Sequence, residues 1–367
     1  MNPVRQPTLM IMAGGTGGHV YPALAVAQAL IERGVAVVWL GTKQGIEARI
    51  VPQAGIAMEW ISVKGLREKG VFSWLVAPFR IVLACVQSMT VMLRINPDAV
   101  LGMGGFVSGP GGLMARLLGK PLLIHEQNAI AGLTNRWLAM VATCVVAAFP
   151  QSFPSRIKAR LMGNPVRKEI IALLAQPKKA PIDRALRLLV VGGSLGAQAL
   201  NEVVPSTLAK LPMSVSLEVW HQTGKTTFEA TQQQYSKLGV AGKVMAYIED
   251  MACAYQWADL VLCRAGAMTI AELAITANPS ILVPFPYAVD DHQTANAKYL
   301  ANGGAALLIP QQELTADRLK QVLENFILHP GQLAKMSAAA RSLAKPEATR
   351  AVADLCMQLD TSKGVPQ

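Results

Sequence analysis

The chain has 367 residues, is 52% hydrophobic and only 16% charged, and carries a formal net charge of +11. That length makes about two ordinary domains, and the apolar balance implies deep burial or an apolar face kept for a partner or membrane. The positive charge draws anions, but no dense Lys/Arg run, RNP-like aromatic motif or zinc-finger spacing is present, which argues against nucleic acid.

Leu9 to Ala13 reads as an apolar strand running into Gly14-Gly15-Thr16-Gly17-Gly18. Because those glycines interrupt the first apolar run, no cleavable leader is expected. Pro22 to Glu32 then reads as a helix closed by Gly34, and Val35 to Leu40 as the next strand. Val71 to Leu93 is apolar but holds Pro78, Arg80 and Gln87. The remainder, Ile81 to Leu93, falls short of the roughly 20 residues a bilayer requires, so no spanning segment is expected.

Lys64, Arg67, Lys69 and Arg80 surround Val71, Phe72, Trp74, Leu75, Val76 and Phe79. Cations around apolar and aromatic groups suit the headgroup boundary of an anionic leaflet; a buried helix with a charged rim would read the same way. Ala99 to Leu101, Leu122 to Ile124 and Val145 to Ala147 are further apolar strands. Continuous apolar strands between helices imply a parallel sheet covered on both faces.

Gly163-Asn164-Pro165 reads as a turn, and Gln176 to Asp183 is polar with Pro and Lys. The pattern then restarts, with Leu186 to Val191 running into Gly192-Gly193-Ser194-Leu195-Gly196. The expected organisation is therefore α/β: a first doubly wound domain over 1–165 and a second over 166–345, facing one cleft. A helix over about 346–360 is expected to pack back on the first domain, followed by a frayed tail. The five cysteines, Cys85, Cys144, Cys253, Cys263 and Cys356, are widely spaced with no Cys-x-x-Cys pair. That pattern argues against a disulfide framework or a thiolate zinc site and favours a reducing compartment.

Three glycine loops follow strands: Gly14 to Gly18, Gly102 to Gly112, and Gly192 to Gly196. Such loops let backbone approach a ligand and open helices whose N–H groups attract phosphate, although tight turns also use glycine. Three together favour an anionic ligand. The dinucleotide signature G-x-G-x-x-G is not met, and no acidic residue ends the strand Val35 to Leu40. Gly224-Lys225-Thr226 resembles the end of a P-loop, but Val219 stands where its first glycine belongs.

Asp259 to Glu272 reads as strand, glycine turn and helix. Arg264 precedes the helix start, where its cation can meet phosphate beside the N–H groups of Ala267, Met268 and Thr269; Glu272 is one turn on, placed to accept ribose hydroxyls. An Arg/Glu surface pair beside an ordinary turn is the plainer alternative. Pro284-Phe285-Pro286 and Asp291-His292-Gln293-Thr294-Ala295-Asn296 follow, a cluster suited to sugar hydroxyls or to helix capping.

These motifs occur in one order: Gly14 to His19, Gly102 to Pro110, His125-Glu126-Gln127-Asn128, Gly163 to Arg167, Gly192-Gly193-Ser194 and Cys263 to Ala267. From Leu9 to Ala344 the chain resembles the MurG family, the peptidoglycan N-acetylglucosaminyltransferases of glycosyltransferase family 28. The resemblance implies a GT-B fold of two Rossmann-like domains. It also implies inverting transfer of GlcNAc from UDP-GlcNAc to the C4 hydroxyl of MurNAc in undecaprenyl-diphospho-MurNAc-pentapeptide (lipid I), giving lipid II. The implied donor contacts are Thr16, Gly17, Gly18, Asn128, Arg167 and Ser194, with Ile248 beside the uracil. Ala267, Met268, Thr269, Ile270, Ala271 and Glu272 would hold diphosphate and ribose, and Gln293 the sugar. Ala265 and Leu195 depart from the pattern of enterobacterial members, where serine and glutamine are common. The implied setting is peripheral, on the cytoplasmic face of the bacterial inner membrane, among cell-wall synthesis and division proteins.

Inverting transfer needs a base for the acceptor hydroxyl and positive charge for the leaving diphosphate. Arg264 and the helix opening at Gly266 suit the second task without a required metal or cofactor, and no Asp-x-Asp motif exists, since Asp290-Asp291 lacks the spacer. Histidine suits the first, and His19 is the leading candidate, with Glu126 and His125 competing. The patch Phe72, Trp74, Leu75, Phe79 and Arg80 would face the membrane. Two other readings remain open at this stage. One is another GT-B enzyme on UDP-GlcNAc, such as a 2-epimerase or glycolipid synthase. The other is a non-catalytic UDP-sugar sensor or scaffold.

Overall fold

The computed structural model describes residues 6–63, 70–176, 184–193, 196–213 and 215–359, without the side chains of 70–75 and 289. Lys64, Arg67, Lys69, Ser194 and Leu195, and the side chains of Phe72, Trp74 and Leu75, lie outside the described residues.

The chain divides into two units, Met1–Arg167 with Pro346–Gln367, and Lys168–Lys345. In the first, strands β1 (Thr8–Met12), β2 (Ala36–Gly41), β3 (Ala57–Trp60), β4 (Ala99–Gly102), β5 (Leu122–Glu126), β6 (Cys144–Ala147) and β7 (Arg160–Leu161) form one sheet in the order β3-β2-β1-β4-β5-β6-β7. In the second, β8 (Leu186–Val191), β9 (Leu217–Gln222), β10 (Lys243–Met245), β11 (Leu260–Cys263), β12 (Ser280–Leu282) and β13 (Ala306–Leu308) follow the order β10-β9-β8-β11-β12-β13. Every strand pairing is parallel.

Burial explains why the central strands read as unbroken apolar runs. Met10, Ile11 and Met12 of β1 point to alternate faces, yet all are fully buried, because helices cover both sides. The helix Ala348–Gln358 supplies Val352, Ala353, Leu355 and Cys356 to the core under β1 and the helix Gly17–Ile31.

In each sheet the chain leaves one strand in opposite directions. The reversals lie between β1 and β4 and between β8 and β11, where side crevices open at the carboxyl ends of strands and ligands ordinarily bind. All three glycine loops begin there.

The interrupted apolar stretch corrects its sequence reading. Pro78 and Arg80 do not break it: Gly70–Ile95 is one helix of 26 residues. Within it Val76–Ile95 has the length and apolar character of a membrane span. Length and composition are all that this shows, since Ala77, Ala84, Ser88, Val91 and Met92 are buried within the first unit.

Candidate active site

In the first unit, β1 feeds Gly14 to Gly18 into the helix Gly17–Ile31. Thr16 is the N-cap residue, but its hydroxyl makes no cap bond and instead meets His19 Nδ1 at 3.2 Å. Gly104, with φ +98°, lies under the ring: a Cβ there would fall 2.6 Å from His19 Cδ2 and 2.9 Å from Nε2. Ser108 Oγ holds this second glycine loop through Gly104 N, Gly104 O and Met12 O at 2.9–3.1 Å.

Glu47 was not singled out in the sequence, yet it is fully buried and braces the first loop. Its carboxylate accepts from Gly15 N at 3.0 Å, Thr42 N at 3.1 Å and Thr42 Oγ1 at 2.9 Å. The Gly15 N–H is therefore spent on an internal anion. Phosphate affinity does not follow at this point of the first loop from its glycines alone.

Glu126, the alternative base, is held within its own turn. Its Oε1 accepts from Asn128 N and Nδ2, and its Oε2 from Gly132 N and Asn135 Nδ2, at 2.9–3.2 Å. This buried carboxylate accepts from four donors and shapes the turn that presents Asn128. His125 is also unsuited: burial lowers its pKa to about 4, and its Nε2 lies 3.0 Å from Gly163 O. Glu126 is thus bound to backbone and side-chain donors, and His125 to a backbone carbonyl. Arg167 closes the first unit with its guanidinium carbon 5.6 Å from the Tyr21 ring centroid, which brings it beside the helix that carries His19.

In the second unit the helix Ala267–Ile275 starts at Gly266, which adopts φ −64° and makes no side-chain cap bond. Neither backbone strain nor crowding by the protein requires glycine here, since a Cβ would meet nothing nearer than Thr269 Oγ1 at 3.7 Å. The N-cap residue is a glycine with no side chain to cap the turn, and the helix start carries about half a positive charge, which favours an anion. Further along, Glu272 is 8% exposed, and its Oε2 accepts the Tyr255 hydroxyl at 3.0 Å.

Arg264 is engaged by protein partners. Its Nη1 donates to Val283 O and Pro284 O at 3.1 and 3.2 Å, and its Nη2 to Gln311 Oε1 at 2.6 Å. Its guanidinium carbon sits 5.4 Å from the Phe285 ring centroid, and burial pushes its pKa down. The side chain clamps the loop after β12. Gln293 joins this clamp, its Oε1 accepting from Phe285 N at 2.9 Å and Ala265 N at 3.3 Å. The amide nitrogen is the end of Gln293 suited to a ligand. Ile248 is buried beyond β10.

A second brace lies under Gly196, whose Cβ would collide with Thr223 O. Asn201 Nδ2 donates to Thr223 O and Thr227 Oγ1, both at 3.0 Å, which fixes its Oδ1 as an acceptor. His221 Nε2–H therefore donates to that oxygen at 3.0 Å, and the Tyr235 hydroxyl donates to Nδ1 at 3.0 Å. Burial keeps this imidazole neutral, with a pKa lowered to about 4.

The family 28 N-terminal domain matches residues 9–147 and the family 28 C-terminal domain residues 187–354. The chain belongs to glycosyltransferase family 28. Among similar proteins, this family 28 chain is 51% identical to the UDP-N-acetylglucosamine--N-acetylmuramyl-(pentapeptide) pyrophosphoryl-undecaprenol N-acetylglucosamine transferase of Ectopseudomonas mendocina, over 96% of this chain and 98% of that protein. It is 52% identical to the transferase of the same name from Methylococcus capsulatus, over 95% and 98%. The crystal structure of Acinetobacter baumannii MurG aligns with a TM-score of 0.81 at 43% identity, covering 96% of this chain and 99% of that one. UDP-GlcNAc 2-epimerase from Neisseria meningitidis aligns with a TM-score of 0.65 at 14% identity, over 96% and 100%, a likeness of fold alone. The family 28 chain thus has the GT-B architecture and is a glycosyltransferase.

Proposed function

We propose that this glycosyltransferase moves GlcNAc from UDP-GlcNAc to the C4 hydroxyl of MurNAc in undecaprenyl-diphospho-MurNAc-pentapeptide, with inversion. The observation that carries the reading is the helix Ala267–Ile275, whose opening at Gly266 has no capping side chain and whose second turn carries the buried carboxylate of Glu272. Diphosphate suits the first-turn N–H groups, ribose hydroxyls suit the carboxylate, and Ile248 is an apolar neighbour for a base. As the acceptor oxygen bonds to the anomeric carbon, the bond from that carbon to the phosphate oxygen breaks. The electron pair leaves with UDP, where the helix terminus stabilises the developing charge, and the hydroxyl proton passes to His19. Arg264 keeps its place by holding the loop after β12, and Gln293 offers its amide nitrogen to the sugar.

UDP release from UDP-GlcNAc, measured with and without the lipid-linked acceptor, tests this reading. Release only with acceptor is expected. Isomerisation of UDP-GlcNAc alone would favour an epimerase, and donor binding without release in either case a sensor.

The polyprenyl tail of such an acceptor stays in the bilayer, so the enzyme has to work at a lipid surface. On the helix Gly70–Ile95, Phe79 is 77% exposed, and Val82, Leu83 and Leu93 are exposed beside it, with Arg80 and Arg94 among them. Leu117, on the adjoining helix Ser108–Leu117, extends this apolar face. An apolar face interleaved with cations supports peripheral docking on the anionic cytoplasmic leaflet, within reach of the cell-wall synthesis and division machinery. Each large apolar side chain buried in lipid contributes about 1.5–3 kcal/mol. Phe79→Glu with Val82→Glu is expected to reduce sedimentation with anionic liposomes by about tenfold or more and leave UDP binding unchanged. Unaltered liposome binding would move the docking face elsewhere.

A further inference from the structure

Tyr255 lies on the helix Met251–Trp257 and is 1% exposed, and its hydroxyl donates to Glu272 Oε2 at 3.0 Å. A buried phenol has to place its hydrogen somewhere, and here the acceptor is a carboxylate on the helix expected to hold the donor nucleotide. The backbone that carries the phenol is itself anchored: Asn278 Nδ2 donates to the Tyr255 carbonyl at 3.2 Å, and Asn278 is fully buried. Beneath them the Cys263 thiol feels the same carboxylate. Burial first, and the Glu272 charge second, push Cys263 up to about 12, so it stays a neutral thiol beside the anion.

A glutamate at this depth has rotamers to choose from, and recognition of two vicinal hydroxyls requires one orientation of its carboxylate plane. A hydrogen bond to an ionised acceptor is about twice as strong as a neutral one, enough to select that plane before the ligand arrives. The geometry points to Tyr255 as the positioning residue that orients Glu272 and so sets the enzyme's selectivity for ribonucleotide over deoxyribonucleotide donors. This rests on the donor reading above. Tyr255 touches no substrate group; it acts through the carboxylate it holds.

The test is calorimetric binding of UDP and 2′-deoxy-UDP to the full-length protein and to Tyr255→Phe. The wild type is expected to prefer UDP by about tenfold, the value of one charge-assisted hydrogen bond donated by the 2′-hydroxyl to the carboxylate. Tyr255→Phe is expected to weaken UDP about fivefold, to leave 2′-deoxy-UDP within twofold, and so to collapse the preference. A general packing defect would instead weaken both ligands alike. A wild-type protein that binds neither nucleotide would overturn the donor reading. A wild type that prefers UDP, with the preference intact in Tyr255→Phe, would overturn the role of Tyr255 alone.

Discussion

His19→Ala is expected to lower kcat by about 10²- to 10⁴-fold, the usual contribution of a positioned general base, while UDP affinity stays within about twofold. The expectation rests on how the ring is held. Thr16 Oγ1 engages Nδ1 at 3.2 Å, and Gly104 supplies the bare backbone against which the Nε2 edge lies. The neighbouring titratable groups are already committed, Glu126 to four donors and His125 to the Gly163 carbonyl. In the wild type kcat is expected to fall as pH drops, because a protonated base cannot accept the hydroxyl proton. His19→Ala removes that acidic limb and leaves a low, flat rate. Near-normal kcat with the limb preserved would transfer the role to another group.

Gly105→Ala is expected to destabilise the first unit by about 3 kcal/mol or more and to abolish transfer, whereas Gly15→Ala costs about 1 kcal/mol. Both glycines have left-handed backbone, φ +82° and +90°. They differ in what a methyl would meet. At Gly105 it would collide with the Gly14 carbonyl, rigid backbone of the neighbouring loop, whereas nothing lies within 4 Å at Gly15. The first and second glycine loops touch through Gly105, so forcing them apart also displaces His19. Chemical denaturation followed by circular dichroism measures the difference. Equal stability of the two variants would show that the loops yield more readily than their packing implies.

The parts of the fold that the sequence revealed share one physical property. Strands buried on both faces read as continuous apolar runs, so Leu186–Val191 is read with its observed limits and β1, β2 and β4 within a residue or so. Other strands carried weaker signals. Leu217–Gln222 has Glu218 exposed at one end and His221 and Gln222 buried at the other, so polar residues sit where apolar ones were sought. The helix Gly17–Ile31 begins five residues before Pro22, because loop geometry overrides the poor helix propensity of two glycines.

The strand, glycine turn and helix around Gly266 were legible because they are adjacent in sequence. The partners of the charged groups were not. Arg264 is claimed by Gln311, 47 positions on, and Glu47 reaches back 32 positions to Gly15. Residue type announces a charge, but only folding decides whether it is spent on the protein or left for a ligand. Tyr255 and the Asn201–His221–Tyr235 chain gave no local signal for the same reason.

The most direct measurement is the anomeric configuration of the product, read by proton NMR after the protein is incubated with UDP-GlcNAc and undecaprenyl-diphospho-MurNAc-pentapeptide. The account predicts one GlcNAc joined through a β linkage to the MurNAc C4 oxygen for each UDP released. An α linkage, attachment at another hydroxyl, or consumption of UDP-GlcNAc with no glycosylated lipid would contradict it.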